Sequence, residues 1–232
     1  MSVGVVIAAA GHGKRMGKGF NKQFIQLGDR PMIVHTLQVF ERLRAIDEIV
    51  VVTGAADVAR CHDLCRSYRL NKVKRIVPGG ETRQQSVQIG LRSLSSEWVL
   101  VHDGARPFVS SAMIETLLSK VQRHGAAVLG VPVKDTIKKV NEQGIIEETP
   151  DRKSMWAVQT PQAFRLTELK QAHEIAARQQ LVATDDAMLM EKTGTKVHMV
   201  RGDYYNIKIT TPDELWHAEA VLQHMTRLGE QS

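Results

Sequence analysis

The sequence predicts an α/β fold in which a mainly parallel sheet carries helices on both faces. Short apolar runs rich in Val and Ile alternate with amphipathic segments along most of the chain, as is typical of parallel strands that are covered on both sides. This alternation of strand and helix favours parallel strands joined by crossover helices. A length of 232 residues is sufficient for one such domain with a small appendage.

The individual elements follow from the periodicity of the apolar residues. Strands are predicted at 3–8, 48–53, 73–77, 98–102 and 127–131, and helices between them at about 32–44, 56–68, 82–94 and 111–124. A helix at about 184–192 and a strand at 196–200 follow. The last helix opens with Thr211-Pro212-Asp213-Glu214, which is a capping box with proline at the first helical position.

The segment at about 133–159 interrupts this rhythm. Short alternating strands at 136–140 and 145–148 flank Asn141-Glu142-Gln143-Gly144, and a third strand is expected at 155–158. The Asn-to-Gly turn indicates a β-hairpin. Because two strands alone are marginally stable in water, we expect this inserted β-arm to pack against another chain. Packing of the hairpin on its own domain is the alternative.

The charge of the protein favours acidic ligands. The formal net charge is +6 and the isoelectric point about 9.4, yet the bases are spread along the chain and aromatic residues make up only 5%. Nucleic-acid-binding proteins usually cluster their bases, so free nucleotides and sugar phosphates explain the charge better. The sequence has no apolar run of about 20 residues and no signal-peptide pattern, and we therefore expect a cytoplasmic protein without membrane contact.

The first predicted strand ends in a loop suited to phosphates. Gly11 and Gly13 allow close approach of the backbone, and Lys14, Arg15 and Lys22 follow. A Walker A loop is excluded because the chain has Ala8 and Arg15 at decisive positions, and Met16 breaks a dinucleotide-binding fingerprint. A glycine-rich turn with solvated bases remains the alternative for this loop alone.

Three further polar clusters follow predicted strands, at 79–86, 102–107 and 202–208. The carboxyl ends of parallel strands meet at one edge of the sheet, where α/β proteins bind ligands. Taken together with the first loop, these clusters bring several cations, a carboxylate and glycines to that edge. Such a combination suits nucleotide phosphates and a hard divalent metal ion.

The same clusters carry a resemblance to a known family. The motifs are A-A-G-H-G-K-R-M at 9–16, N-K-Q at 21–23, G-G-E-T-R-Q-Q-S-V at 79–87, V-H-D-G-A-R-P at 101–107, P-V-K-D-T-I-K at 132–138, W-A-V-Q-T-P-Q at 156–162, T-D-D-A at 184–187 and N-I-K-I-T-T-P-D at 206–213. Because these motifs occur in the family's order along nearly the whole sequence, the chain resembles the 2-C-methyl-D-erythritol 4-phosphate cytidylyltransferases. The resemblance implies a single Rossmann-like nucleotidyltransferase domain over 1–232, homodimerisation through the β-arm, CTP and methylerythritol phosphate as substrates, and Mg²⁺ or another divalent cation.

The resemblance also implies roles for single residues. Arg15 and Lys22 match the pair that stabilises charge on the CTP α-phosphate, and Lys208 and Arg152 match the pair that positions the acceptor. The nucleotide would be held by Ala9, Ala10, Gly11, Gly80, Glu81 and Ser86. Asp103 matches the acidic residue beside the metal and the acceptor, and Arg106, Thr136, Thr160 and Thr184 match polar residues around the acceptor, Thr136 and Arg152 acting from the arm of the partner subunit. The chain departs from the family's pattern at two positions: it has Ala8 where relatives often have proline, and Glu81 where many have aspartate.

The implied reaction is attack by the acceptor phosphate on the α-phosphorus of CTP with loss of pyrophosphate. The nearest alternative is a ribitol-5-phosphate or other polyol-phosphate cytidylyltransferase, in which the first loop is closer to A-G-G and a Ser-Val pair is typical where this chain has Gly104-Ala105. A nucleic-acid-binding protein, suggested by the basic charge, and an oxidoreductase, disfavoured by Met16, are more remote alternatives.

Overall fold

The computed structural model describes residues 2–11, 21–227 and 229. The strands are β1 Val3–Ala9, β2 Gln26–Leu27, β3 Arg30–Pro31, β4 Glu48–Thr53, β5 Val73–Pro78, β6 Trp98–Asp103, β7 Ala126–Pro132, β8 Lys139–Val140, β9 Ile146–Glu148, β10 Trp156–Arg165 and β11 His198–Arg201. The helices are α1 Met32–Arg42, α2 Val58–Ser67, α3 Arg83–Arg92, α4 Ser111–His124, α5 Leu166–Arg178, α6 Asp186–Lys192 and α7 Pro212–Arg227.

A seven-stranded sheet forms the centre of the fold, in the order β11-β7-β10-β6-β1-β4-β5. Strands β4 and β6 pair with β1 in parallel, whereas β10 runs antiparallel to its two neighbours, β6 and β7. The predicted fold class, a mainly parallel sheet, is therefore confirmed. The edge formed by the carboxyl ends of β1, β5 and β6 is the one at which the polar clusters were expected.

Both faces of the sheet are covered by helices. One buried cluster unites the sheet with apolar residues of α1, α2 and α4, and a second unites it with α3, α5 and α6. In β1, Val5 and Ile7 point to the first cluster and Val6 to the second, as the two-residue period of a strand requires. None of the helices in the described part of the chain combines the length and the apolar character needed to cross a membrane.

Helix α7 closes the sheet edge near the polar clusters. The backbone N–H of Thr211 donates to Oε2 of Glu214 at 2.8 Å, and the N–H of Glu214 donates to Oγ1 of Thr211 at 3.4 Å. These bonds form the predicted capping box. The inner face of α7 joins a third apolar cluster with Leu27, Met32 and Ile209, which fixes the segment that precedes the helix.

The region around the β-arm differs from the sequence prediction at its end. Strands β8 and β9 form an antiparallel hairpin, and the turn is closed by Asn141, whose Oδ1 accepts from the N–H groups of Gln143 and Ile145. The strand expected at 155–158 continues to Arg165 and enters the central sheet, and it is followed by α5, which the apolar pattern did not indicate. The apolar pattern did not reveal this strand because it contains the polar residues Gln159, Thr160 and Gln162. In the structure their side chains are buried and hydrogen-bonded.

Candidate active site

A cleft of about 420 Å³ opens at the carboxyl ends of β1, β5 and β6. The residues that line it come from all four of the polar clusters and from the segments beside them: Ala8, Ala10, Gly11, Lys22, Gln23, Gly80, Glu81, Thr82, Arg83, Ser86, Asp103, Ala105, Lys208 and Thr210. The sheet therefore brings together residues from both ends of the chain, as the common strand-end location predicted.

The first two loops meet at a point where only glycine fits. A Cβ atom at Gly79 would lie 2.5 Å from Cβ of Ala10 and 2.7 Å from Oγ of Ser86. These distances are shorter than van der Waals contact allows. The Ser86 hydroxyl in turn accepts from the N–H of Gly80 at 3.1 Å and donates to the carbonyl oxygen of Thr82 at 2.9 Å. The glycine pair thus sets the wall of the cleft, and Ser86 holds it.

The start of α3 is fixed by its own cap. Thr82 accepts from the N–H of Gln85 at 3.1 Å, and Oε1 of Gln85 accepts from the N–H groups of Thr82 and Glu81 at 3.2 and 2.9 Å. This capping box satisfies backbone donors that would otherwise be free at the helix terminus. The side chain of Glu81 remains exposed at the rim of the cleft.

Asp103 is the electrostatic centre of the cleft. Its carboxylate is 2.7 Å from Nζ of Lys208, 3.2 Å from Nε of Arg83 and 3.8 Å from Nε of Arg106, and the residue is only 6% exposed. Burial opposes ionisation, but the charges of Arg83 and Lys208 outweigh it and hold the pKa of Asp103 well below its usual range. The group is therefore an anion that is shared among several cations.

A chain of hydrogen bonds holds the backbone of Asp103. The N–H of Asp103 donates to Oγ1 of Thr160 at 3.0 Å, and this hydroxyl lies 3.1 Å from Nδ1 of His102. Burial lowers the pKa of His102 to about 4, so its ring is neutral at pH 7. Nε2 of His102 faces the carbonyl oxygen of Arg106 at 3.0 Å and must carry the ring proton, because a carbonyl only accepts. Nδ1 is then the acceptor, and Thr160 donates to it.

Lys22 reaches the cleft from a short 3-10 helix at Lys22–Phe24. Asn21 caps this helix and is tied to Asp57 by a 2.7 Å hydrogen bond. The Lys22 ammonium donates to the carbonyl oxygen of Ile209 at 2.9 Å, which places its charge beside the segment that carries Lys208. A Cβ atom at Gly104 would lie 2.9 Å from Oε1 of Gln23, so this glycine leaves room for the helix to approach.

Other residues singled out from the sequence lie beside or away from the cleft. Ala9 is fully buried behind it, and Arg106 is held behind Asp103 by a 2.6 Å hydrogen bond from its Nη1 to the carbonyl oxygen of Asn206. Thr184 is exposed just before α6 and does not line the cleft. Thr136 and Arg152 are exposed on the β-arm, where Nη1 of Arg152 donates to the carbonyl oxygen of Lys134 at 2.7 Å. Arg15 lies outside the described residues.

Arg83 is a residue that the sequence analysis missed. It lies within the G-G-E-T-R-Q-Q-S-V motif, begins α3 and lines the cleft. Burial opposes its charge, but Asp186 and Asp103 raise the pKa of Arg83 above its ordinary value. A cation directly after the N-cap of a helix is unfavourable for the helix dipole. That departure from the usual charge pattern was the signal in the sequence that Arg83 has ion-pair partners outside its own helix.

The residues of the cleft offer few ligands for a metal ion. No group of three or more His, Cys, Asp or Glu side chains suited to a metal is found within the described residues. Mg²⁺, however, is commonly held by one or two carboxylates together with substrate phosphates and water. Asp103 fits such a role, since it is an ionised carboxylate in a cleft whose other described lining charges are Glu81, Lys22, Arg83 and Lys208.

Comparison with known proteins agrees with the geometry. The model of the 2-C-methyl-D-erythritol 4-phosphate cytidylyltransferase family (IspD) matches residues 3–224. The chain is 49% identical to the protein of that name from Halalkalibacterium halodurans over 228 residues, which is 98% of this chain and 100% of that protein. The structure of 4-diphosphocytidyl-2C-methyl-D-erythritol synthase from Anaerococcus prevotii superposes with a TM-score of 0.86 at 32% identity, over 96% of each chain. The cytidylyltransferase of Thermus thermophilus superposes with a TM-score of 0.80 at 36% identity, over 96% of this chain and 100% of that one.

Proposed function

Because the chain belongs to the 2-C-methyl-D-erythritol 4-phosphate cytidylyltransferase family, we propose that it transfers CMP from CTP to 2-C-methyl-D-erythritol 4-phosphate. The products are 4-diphosphocytidyl-2-C-methyl-D-erythritol and pyrophosphate. The observation that carries the proposal is the strand-end cleft lined by Lys22, Arg83 and Lys208, in which Arg83 and Lys208 contact Asp103, the buried carboxylate among the described lining residues. Such a site is suited to the meeting of two phosphorylated substrates.

The chemistry requires positioning more than proton transfer. A phosphate oxygen of the acceptor forms a bond to the α-phosphorus of CTP while the bond to pyrophosphate breaks. The nucleophile is already an anion, so no general base is needed, and the barrier lies in bringing two anions together. Cations fixed in place before the reaction lower that barrier by stabilising charge on the transferred phosphoryl oxygens. Lys22 is the described residue to which we assign this role, and Arg15 is its expected companion.

The two substrates would occupy different parts of the cleft. We assign the nucleotide to the wall formed by Ala10, Gly11, Gly80 and Ser86, where backbone N–H groups and a hydroxyl are available. Lys208 and Asp103 face each other at 2.7 Å and are assigned to the acceptor side. An arriving anionic phosphate attracts the ammonium of Lys208 away from Asp103, which would free one carboxylate oxygen.

The freed carboxylate is the reason to propose Mg²⁺ as the metal ion. Asp103 and the phosphates of the nucleotide would hold it, directly or through water, and the bound ion would neutralise charge on the triphosphate. Asp103 is suited to this because, although burial opposes ionisation, the charges of Arg83 and Lys208 hold the pKa of its carboxyl well below the usual range.

The β-arm supports the further proposal of a homodimer. It exposes large apolar side chains, namely Ile137, Val140, Ile145, Ile146, Trp156 and Val158. An exposed apolar group of this size is unusual for a monomer and is typical of a contact surface. Arg152 and Thr136 do not line the cleft of their own chain, and we therefore assign them to the cleft of the partner subunit.

Subunit mixing tests the shared site. Homodimers of Arg15→Ala and of Arg152→Ala should each be nearly inactive. After random exchange half of the dimers are mixed, and each mixed dimer has one site with both lesions and one with none, so about a quarter of wild-type activity should return. If mixed dimers are demonstrated by mass and activity stays at the parental level, Arg152 acts within its own chain and the proposal is wrong.

Substrate choice tests the proposed reaction itself. Pyrophosphate release from CTP should be fast with methylerythritol phosphate and slow with ribitol 5-phosphate, the acceptor of the alternative reaction. Equal or faster release with ribitol 5-phosphate would reassign the protein to the polyol-phosphate enzymes. We also expect the enzyme to work in the cytoplasm, because both proposed substrates are highly charged and do not cross a bilayer unaided.

A further inference from the structure

A buried ionic chain lies behind the wall of the cleft. Nη1 of Arg83 is 2.9 Å from Oδ2 of Asp186, while Nε of the same guanidinium is 3.2 Å from Oδ1 of Asp103. Asp186 is 1% exposed, and its second oxygen, Oδ1, is 3.0 Å from Nε2 of the equally buried His173. Because an ionised carboxylate only accepts, His173 donates this bond. The ionic chain consists of Asp186, Arg83 and Asp103, and the hydrogen bond from His173 joins it to α5.

The backbone of Asp186 is also fixed. Oε1 of Gln162 accepts from the N–H groups of Asp186 and Ala187, both at 3.1 Å, and Nε2 of Gln162 donates to Oδ2 of Asp185 at 2.8 Å. Gln162 belongs to β10 and is itself buried. The carboxylate of Asp186 is thus held from the sheet and from α5, whereas the Arg83 guanidinium spans the gap between two carboxylates.

A buried ion pair such as Arg83–Asp186 contributes little to the free energy of unfolding, because desolvation of the two charges offsets their attraction. Replacing a buried ion pair by apolar residues of similar volume is often neutral or stabilising, and α6 already packs apolar Ala187, Leu189 and Met190 into the core. What the ionic chain adds is a fixed position for one guanidinium. Among the described residues, Arg83 forms ion pairs with Asp186 and Asp103, so loss of the Asp186 charge would leave Asp103, the carboxylate assigned above to the acceptor and the metal ion, as its ion-pair partner.

We propose that Asp186, oriented by His173, is a positioning residue that acts through Arg83 and keeps Asp103 available in the cleft. This inference rests on the proposed function. Asp186→Asn preserves the shape of the side chain but removes its charge. Loss of an outer partner at a metal site typically lowers activity about 10- to 100-fold. Because Arg83 contacts Asp103, the residue proposed to hold Mg²⁺, we expect kcat/KM for CTP and methylerythritol phosphate to fall by a similar amount.

A double-mutant cycle decides whether Asp186 acts through Arg83. If it does, Asp186→Asn should change kcat/KM by less than about twofold when it is added to Arg83→Gln, since the group through which it acts is already gone. A second loss of about tenfold or more in the Arg83→Gln background would overturn the proposal, and so would normal activity of Asp186→Asn alone.

A matched variant separates positioning from simple destabilisation. Leu169 lies in α5 one helical turn before His173 and is fully buried, so Leu169→Ala should lower the melting temperature without touching the ionic chain. We expect its kcat/KM, measured well below its melting temperature, to stay within about twofold of wild type by this reasoning. A loss as large as that of Asp186→Asn would show that activity follows stability and would overturn the proposal.

An NMR measurement on the free protein is independent of the reaction. The Nε–H signal of Arg83, assigned by its absence in Arg83→Lys, should be sharp and slowly exchanging in the wild type, and Asp186→Asn should shift and broaden it. An unchanged signal would refute the positioning role even if the enzyme is active as proposed. If the wild type instead fails to transfer CMP, the proposed function is wrong, and the spectrum still decides whether Asp186 holds Arg83.

Discussion

Replacement of Thr160 by valine should destabilise the protein far more than a threonine-to-valine change usually does. Thr160 is 5% exposed, and its hydroxyl accepts from the N–H of Asp103 at 3.0 Å and donates to Nδ1 of His102 at 3.1 Å. Regular pairing of β10 with β6 ends at Gln162, so this hydroxyl takes the place of a backbone partner for Asp103. Valine has nearly the same shape and can make neither bond.

The size of the effect follows from the two polar groups that would be left. Both the N–H of Asp103 and Nδ1 of His102 would lose their partner in the interior, and an unsatisfied buried group costs about 1 to 3 kcal/mol. The sum is therefore about 2 to 6 kcal/mol. For a chain of this length 1 kcal/mol corresponds to roughly 2 to 4 °C in melting temperature, so we expect a fall of at least about 4 °C.

Thermal unfolding followed by circular dichroism measures this directly, and Thr116→Val is the matched control. Thr116 is exposed on α4, and its hydroxyl donates to the carbonyl oxygen of Ala112 in its own helix. The control should shift the melting temperature by about 1 °C or less, as surface substitutions usually do. If Thr160→Val behaves like the control, the assigned hydrogen-bond chain does not hold Asp103. A fall in kcat/KM should accompany the loss of stability, because Asp103 would no longer be fixed.

Three other predictions concern the charges of the site. Lys22→Ala should lower kcat on the order of 100- to 1,000-fold with a smaller change in KM, as expected for a cation that stabilises charge in the transition state. A raised KM for CTP with unchanged kcat would limit Lys22 to ground-state binding. Lys120→Ala, on the outer helix α4, serves as the control. EDTA should abolish turnover and Mg²⁺ restore it, and Asp103→Asn should stay strongly impaired at any Mg²⁺ concentration; near-normal turnover by this variant would remove Asp103 from the site. The free energy of unfolding should decrease as the pH falls below about 4, where free aspartate is protonated, because the folded pKa values of Asp103 and Asp186 lie below that of the unfolded chain. Urea titrations at several pH values measure this free energy, and its change with pH should be smaller for Asp186→Asn than for wild type.

The regular part of the fold could be predicted because its elements are governed by local patterns. Strands β4 and β6 contain the continuous apolar runs 49–52 and 98–101, which are buried on both faces, and α7 begins at a capping box that is visible in the sequence alone. Strand β10 could not be predicted in the same way. Its polar Gln159, Thr160 and Gln162 are buried only because other parts of the chain supply their hydrogen-bond partners, and such long-range pairing has no local signature.

The same difference divides the residues of the site. Lys22, Asp103 and Lys208 follow strands or loops whose position at the sheet edge is implied by the topology, and they do meet in the cleft. The role of Arg83 depends on Asp186, which is 103 residues away in sequence. Neither residue stands out by spacing, because the ion pair forms only when α3 and α6 pack on the same face of the sheet.

The central claim, that this cleft joins CMP to the phosphate of the acceptor, is tested most directly by identifying the product. The protein would be incubated with CTP and methylerythritol phosphate labelled with ¹⁸O in its phosphate oxygens, and the products followed by ³¹P NMR. We predict two coupled phosphorus signals of a diphosphate diester, with ¹⁸O in the bridge between them and none in the released pyrophosphate. Release of inorganic phosphate with formation of CDP, or unlabelled bridging oxygen in the product, would contradict direct attack of the acceptor phosphate on the α-phosphorus.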